Sequence, residues 1–389
     1  MTGIRIGVVG YGYWGPNLVR TFLEIPDAEV VAVADRDPAR LEQVGVRHRE
    51  IPHLSLDHRA LFDLDLDAVV ISTPPESHAM IASDCLRQGL DVMVEKPLAT
   101  NSSDALELIG LAAAGDRILM AGHIGAYNPA VRALKEMVDS GELGEIRYVD
   151  AVRAGLGLFH PSLNVLWDLA PHDVAILLYL FAELPASAST RGIACVHPAV
   201  EDVAYTTLMF DSGFMAHLRL SWLDPYKSRR ISVVGSKKMV VYDDLELHEK
   251  LKIYDKRVNA TRQTDTFGEF QFAYHYGSVL SPYIRFEEPL RVECTHFLEC
   301  VRDRAQPLTD GRSGQQVVQI IEAAQRSLDR AGIQVPVGEG AGVSEGAPDL
   351  VVLPDVPEPA AGGTVPLDLA EPEAESDDVD ARRRNDLPA

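Results

Sequence analysis

Residues 4–15 read Ile4-Arg5-Ile6-Gly7-Val8-Val9-Gly10-Tyr11-Gly12-Tyr13-Trp14-Gly15. A short apolar run ends at glycines, and helical spacing follows from Pro16 to Glu24. The glycines fit G-x-G-x-x-G at a strand-to-helix junction. Gly10 permits the tight turn, Gly12 lets backbone approach a pyrophosphate, and Gly15 lets the helix pack on the strand. Free N–H groups at the helix start attract phosphate. Tyr11, Tyr13 and Trp14 occupy the variable places of the same loop. A second strand-like run, Glu29–Ala34, ends at Asp35, 20 residues beyond Gly15. An acid there hydrogen-bonds the ribose hydroxyls of a dinucleotide. Its carboxylate repels a 2′-phosphate, which favours NAD. Arg36 beside it partly offsets that repulsion, so NADP stays open.

The same texture repeats outward. Ala68–Ser72 is a buried-strand run, followed by a helix from Ser77 to Gln88 that Gly89 stops. Asp91–Val94 is a strand, Ser102–Ala114 a helix and Ile118–Ala121 a strand. Short apolar runs alternating with helices predict a parallel sheet covered on both faces. The fold class is therefore doubly wound α/β, with a Rossmann dinucleotide-binding domain over residues 1–122. Beyond Gly122, Asn128–Ser140 is helical, and strands are predicted at Ile146–Ala151, Ala204–Phe210, Phe214–Trp222, Arg230–Val234 and Lys238–Tyr242. Helices are predicted at Pro171–Leu180, Pro289–Asp303 and Gly314–Ala331. Short Gly- or Asp-containing turns predict an antiparallel sheet, hence an α+β domain over 123–337. Residues 338–389 form an acidic, Pro-rich tail without aromatics, which predicts disorder.

The formal net charge is −22. From Ala341 onward there are 12 Asp and Glu against 3 Arg, so the tail holds −9 of it. That balance argues against nucleic acid and anionic membrane as partners, since phosphate is bound by Lys and Arg. No apolar run reaches membrane-span length and the N terminus lacks a signal-peptide layout, so the expected location is cytoplasmic. Cys85, Cys195, Cys294 and Cys300 form no CxxC and read as reduced thiols. Cys294 and His296 point about 200° apart on a helix, so no metal site is expected.

Three further motifs carry chemistry. Ser72-Thr73-Pro74-Pro75-Glu76-Ser77-His78 follows a central strand, where loops line the cofactor crevice. His78 there either caps a helix or faces solvent, or else contacts the cofactor. Glu95-Lys96-Pro97 ends the next strand. A lysine beside a nicotinamide hydrogen-bonds the reacting oxygen, whereas an isolated one is simply solvated. In Trp167-Asp168-Leu169-Ala170-Pro171-His172-Asp173, Asp168 and His172 are four apart and share one helix face. Histidine suits proton transfer near neutral pH. Asp173 reads as a helix-start acid and Trp167 as packing. Tyr127 and Asn128 are candidate substrate contacts. Arg153 meets either an anionic substrate group or a surface partner.

The ordered set GYGYWG, AVADRDP, STPPESH, VEKPLA, AGHIGAYNPA and WDLAPHD, over roughly residues 4–330, resembles the Gfo/Idh/MocA oxidoreductases. The resemblance implies a Rossmann domain followed by an α+β domain with an open, mostly antiparallel sheet. It implies NAD(P)-dependent oxidation or reduction of a sugar, cyclitol or nucleotide-linked sugar. It places the catalytic residues at Lys96, Asp168 and His172. It places cofactor loops at Gly10, Gly12, Gly15, Asp35, Thr73, Pro74 and His78, with Glu95 and Lys96 near the nicotinamide. Leu169-Ala170-Pro171 stands where many members carry glycines, a variant resembling the branch of polysaccharide and natural-product sugar pathways. A homodimer or homotetramer is implied. Two rival readings are an NAD-retaining glycoside hydrolase and a non-catalytic dinucleotide-binding sensor.

Overall fold

The computed structural model describes residues 3–157, 159, 163–198, 200–260 and 272–338. The tail, except for residue 338, lies outside the described residues. Six strands, β1 (Ile4–Val9), β2 (Ala28–Ala34), β3 (His53–Ser55), β4 (Ala68–Ile71), β5 (Asp91–Glu95) and β6 (Leu119–Gly122), form one sheet. Its order is β3-β2-β1-β4-β5-β6 and every pairing is parallel. The helices between these strands are α1 (Gly15–Leu23), α2 (Pro38–Arg47), α3 (His78–Arg87) and α4 (Ser102–Gly115). All four residues of β4 are wholly buried, without alternation, because helices cover both faces. Strand order reverses between β1 and β4, which opens a crevice at their C-terminal ends. Local signals set the helix starts. Asp37 accepts from the Ala39 N–H at 2.9 Å with Pro38 following it, and Asn101 accepts from the Asp104 N–H at 2.8 Å.

The rest of the described chain contains α5 (Pro129–Asp139), β7 (Ile146–Leu156), α6 (Val165–Phe181), β8 (Ser187–Ile193), β9 (Val203–Met209), β10 (Met215–Ser221), β11 (Leu223–Gly235), β12 (Met239–Asp243), β13 (Leu251–Ala260) and β14 (Phe272–Leu280). It ends with α7 (Pro289–Asp303), α8 (Gly311–Leu328) and β15 (Val335–Pro336). The second sheet has nine strands in the order β14-β13-β12-β11-β7-β10-β9-β8-β15. Among these pairings only β7 with β10 is parallel. Its strands alternate, as a sheet covered on one face should. Val149, Ala216, Leu208 and Ala188 point into the core with α6 and α8, while Tyr148, Met215 and Met209 stand in one row on the open face.

The chain then returns to the first sheet. Leu290, Cys294, Phe297 and Leu298 of α7 join the core formed by Ile6, Val8, Met93 and Met120. Gly314 of α8 sits where an added Cβ would lie 2.9 Å from Leu98 and 3.0 Å from Ala121.

Two expectations change. The helix read as starting at Pro171 begins at Val165, capped by Asn164, which accepts from the Trp167 N–H at 3.2 Å. Pro171 lies inside it, and having no N–H it cannot donate the i→i−4 bond to the Trp167 carbonyl. Asp173 is consequently a mid-helix residue. Strands β8, β13 and β14 also escaped the reading, because stretches such as Ser187–Ile193 lack an apolar run.

Candidate active site

The glycine loop has the shape that a pyrophosphate requires. Gly10 adopts φ +98°, and a Cβ there would lie 2.7 Å from the Ser72 backbone. A Cβ on Gly15 would lie 2.2 Å from the Gly10 carbonyl oxygen, so the strand-to-helix turn closes only with glycine. A Cβ on Gly12 would meet nothing within 4 Å except the Arg40 guanidinium, leaving its backbone open to an approaching anion. No side chain caps the N terminus of α1. These features fit a dinucleotide: an uncapped helix start, an open glycine and an acid at the end of the neighbouring strand. Ser72 ties the loop down by donating to the Gly10 carbonyl at 2.8 Å.

Asp35 is buried just after β2. It accepts from the Tyr11 N–H at 2.7 Å and the Asp37 N–H at 2.9 Å, with the Arg40 guanidinium at 3.4 Å. Arg36 points outward and is exposed, so Arg40, in the first turn of α2, is the cation beside the acid. Tyr11 is buried and Tyr13 is 82% exposed. Trp14 turns inward beside Glu95. Thr73 and Pro74 lead from β4 into the crevice. The His78 ring bridges the Pro97 carbonyl at 2.8 Å and the Thr73 carbonyl at 2.7 Å, joining the two loops that follow β4 and β5.

Lys96 follows β5, and the peptide between it and Pro97 is cis. Its Nζ donates to the Asp168 carbonyl oxygen at 2.8 Å and to Asp168 Oδ1 at 3.2 Å. The Trp222 indole N–H donates to Asp168 Oδ2 at 3.1 Å. One carboxylate from α6 thus joins the end of β5 to the residue after β10. His172 lies one turn further along α6 on the same stripe. Burial first, then the positive charges of Lys96, Arg153 and Arg229, hold its imidazole well below the usual range. At neutral pH His172 is an uncharged base.

Two acids lie behind the lysine, Glu95 partly buried and Glu293 wholly so. Burial pushes Glu95 up to about 7, against the opposing pull of Lys96 and Trp14. Glu293 of α7 is wholly buried, neither carboxyl oxygen has a hydrogen-bond partner, and burial together with Glu95 raises it well above the usual carboxylate range. His123, directly after β6, is 2% exposed with both ring nitrogens unpartnered. Burial and Lys96 bring its imidazole down to about 4.

Three secondary candidates are committed elsewhere. Tyr127 is buried, with its hydroxyl 3.0 Å from Thr309 Oγ1. Asn128 caps α5 and donates to the Tyr242 hydroxyl at 2.9 Å. Arg153 donates to Asp173 from Nη2 at 2.7 Å and from Nε at 3.1 Å to each oxygen. This pair is buried, so Asp173 is a core partner and not a helix-start acid. Sequence reasoning passed over Arg40, Ser72, Trp222, His123 and Glu293. Arg40 carried a signal, because it falls five residues beyond the strand-end acid, at the start of the next helix. The other four depend on contacts between distant segments.

Among the described residues no helix is long and apolar enough to cross a membrane, and no cluster of ligating side chains suits a metal. Residues 4–123 match the Gfo/Idh/MocA oxidoreductase family with its NAD-binding Rossmann fold, and residues 131–241 match the Gfo/Idh/MocA C-terminal domain. The scyllo-inositol 2-dehydrogenase (NAD(+)) of Bacillus subtilis strain 168 is 28% identical over 321 residues, covering 78% of this chain and 88% of that protein. The UDP-N-acetylglucosamine 3-dehydrogenase of Acidithiobacillus ferrooxidans is 28% identical over 259 residues, covering 66% of this chain and 78% of that protein. A solved structure of the latter superimposes with a TM-score of 0.72 at 24% identity, spanning 85% of this chain and 99% of that one, which shows the shared fold. With both halves of the family pattern present in order on a Rossmann sheet and a nine-stranded partner sheet, the chain belongs to the Gfo/Idh/MocA family of NAD-binding oxidoreductases.

Proposed function

We propose that this chain is an NAD-dependent dehydrogenase interconverting a carbinol and a ketone on a sugar, cyclitol or nucleotide-linked sugar, in polysaccharide or natural-product sugar biosynthesis. The observation that carries the reading is the Lys96–Asp168 pair with uncharged His172 one turn away, at the crevice beside β5. Bound NAD supplies a hydride acceptor. In the oxidising direction His172 takes the hydroxyl proton, and its depressed basicity leaves the ring free to do so at neutral pH. Lys96 hydrogen-bonds the same oxygen and stabilises charge developing on it. Asp168 positions the lysine, and Trp222 holds Asp168. Asp35 receives the adenine-side ribose and favours NAD, while Thr73, Pro74, Glu95 and the glycine loop line the remainder of the cofactor. Reduction reverses these roles.

The reading includes a homodimer or homotetramer. The exposed row Tyr148, Met215 and Met209 on the open face of the second sheet supports a covering subunit. The experiment is absorbance at 340 nm with NAD or NADP and a panel of cyclitols, free sugars and nucleotide sugars. A cofactor-dependent signal with one class supports the reading and names the substrate class. Cofactor binding by calorimetry with no signal across the panel overturns it in favour of a sensor. Sugar release without net NADH overturns it in favour of the NAD-retaining hydrolase.

A further inference from the structure

Arg153 of β7 and Arg229 of β11 are direct register partners. Both side chains stand on the sheet face that α6 covers, next in line after the core pair Ala151 and Ile231. Like charges directly opposite one another destabilise a sheet. Asp173 offsets the cost for Arg153 through a buried, doubly hydrogen-bonded pair. Arg229 has less. Among the described residues its ion-pair partner is Asp244, whose Oδ2 lies 3.6 Å away, beyond hydrogen-bond reach. That carboxylate is already shared: Asp244 Oδ1 accepts from the Tyr242 hydroxyl at 2.9 Å and from Asn128 Nδ2 at 3.3 Å, with Lys250 Nζ at 3.9 Å. Counted together, the ion pairs of Lys96, Arg153, Arg229 and Lys250 set four cations against three carboxylates, Asp168, Asp173 and Asp244. The charges of Lys96, Arg153 and Arg229 all reach the His172 ring. In a chain of net charge −22, the reaction centre is therefore a positive spot.

We propose that Arg229 is a specificity-determining residue that hydrogen-bonds an anionic group of the substrate, a carboxylate or a phosphate carried on the sugar or cyclitol. This rests on the dehydrogenase reading above and narrows its substrate class to anionic sugars. A guanidinium presents parallel donors that match two oxygens of either anion. The Arg229 side chain is 41% exposed and open to an incoming ligand, whereas that of Arg153 is 13% exposed and spent on Asp173. An anion seated on Arg229 also offsets the repulsion between the two arginines, a gain that a neutral sugar forgoes. The positive cleft further concentrates anions from solution.

The test uses the full chain saturated with NAD, so that the dinucleotide crevice is filled. Glucose, glucuronate and UDP-glucose are titrated by calorimetry into the parent and into Arg229→Gln. One of the two anionic probes should bind the parent at least about tenfold more tightly than glucose, and Arg229→Gln should weaken it about tenfold to a hundredfold. Glucuronate in that role identifies a sugar acid, UDP-glucose a nucleotide-linked sugar. Affinity for glucose and for NAD should stay unchanged. Arg230→Gln removes the same charge from the opposite face of β11 and should leave anion binding within about twofold. Arg229→Gln should melt no lower than the parent, because it relieves a like-charge pair. Arg229→Lys, which keeps the charge without the parallel donors, should retain part of the affinity. With an anionic sugar that turns over, Arg229→Gln should raise KM and leave kcat within about twofold. Anionic probes that bind the parent no better than glucose overturn the proposal. So does an equal loss in Arg230→Gln, which would mark a general field in place of a contact. Turnover of a neutral polyol, indifferent to Arg229→Gln, overturns the anion site and keeps the dehydrogenase. Anion binding that depends on Arg229, in a protein that turns over no sugar, supports the site and overturns the dehydrogenase reading.

Discussion

The Trp222 indole N–H donates to Asp168 Oδ2 at 3.1 Å, on the opposite side of the carboxylate from Lys96. Asp168 is therefore held from two directions, by the residue that follows a strand of each sheet. Trp222→Phe keeps most of the packing and removes the donor. Hydrogen bonds to charged groups contribute about 1.5–3 kcal/mol, and the variant should lose that much stability by denaturant titration, with NAD affinity unchanged. Stability equal to the parent's would mean that the bond contributes nothing.

His172→Ala tests the proton acceptor. A placed base accounts for about a hundredfold to ten-thousandfold in rate, and kcat should fall by that factor while NAD affinity stays put. A loss below about tenfold would reject His172 as the base.

The pH profile gives an independent check on the same ring. His172 must be uncharged to accept a proton, and burial with its positive neighbours holds it well below the ordinary 6.5. The acid limb of kcat/KM in the oxidising direction should therefore lie below pH 6.5. Stability follows the same sign: protons bind the unfolded chain more readily, so this contribution is complete above the unfolded value and declines as pH falls below it. An acid limb at or above pH 6.5 would contradict the geometry.

Arg153 and Asp173 form a buried pair that is sensitive to losing one partner. Asp173→Ala should cost about 3–5 kcal/mol by removing the carboxylate that the guanidinium is hydrogen-bonded to, with only the more distant charge of Asp244 left to it. Replacing both with apolar residues of similar volume should come out near neutral in denaturant melts. A single variant as stable as the parent would show that water reaches the pair.

Glu293 makes the opposite forecast. An acid whose folded pKa is raised is most compatible with the fold at low pH and opposes it as pH climbs above the unfolded value. Glu293→Gln mimics the protonated acid. It should match the parent near pH 5 and exceed it by about 1–3 kcal/mol near pH 8, measured by thermal melts at both pH values. A parent more stable than the variant at pH 8 would reveal a partner for the carboxylate.

The legible parts of this molecule were those written in local backbone chemistry. Gly15 is dictated by a contact within its own turn, Gly10 by its positive φ, and the strand-end acid Asp35 by its distance along one βαβ unit, so the glycine loop and the acid beside it could be read directly. Lys96 and Asp168 are 72 residues apart, and no periodicity connects them; the family likeness did. Arg153 was visible as a cation but its partner was not, because register between β7 and α6 decides the pairing. Trp222, His123 and Glu293 were silent for the same reason. Each is ordinary in its own segment and acquires chemistry only when another segment buries it.

The apolar face of α7 has a consequence for how the protein is made. Leu290, Cys294, Phe297 and Leu298 complete the core around Ile6, Val8, Met93 and Met120, so the segment synthesised first is sealed by one synthesised only after strands β7 to β14. The first 122 residues alone present an unfinished surface, and complete folding of the cofactor half is expected only once the helix at 289–303 is available. The boundary between the two sheets is accordingly no place to cut. A fragment ending at residue 122 should aggregate, while one carrying α7 back in trans should recover nucleotide binding.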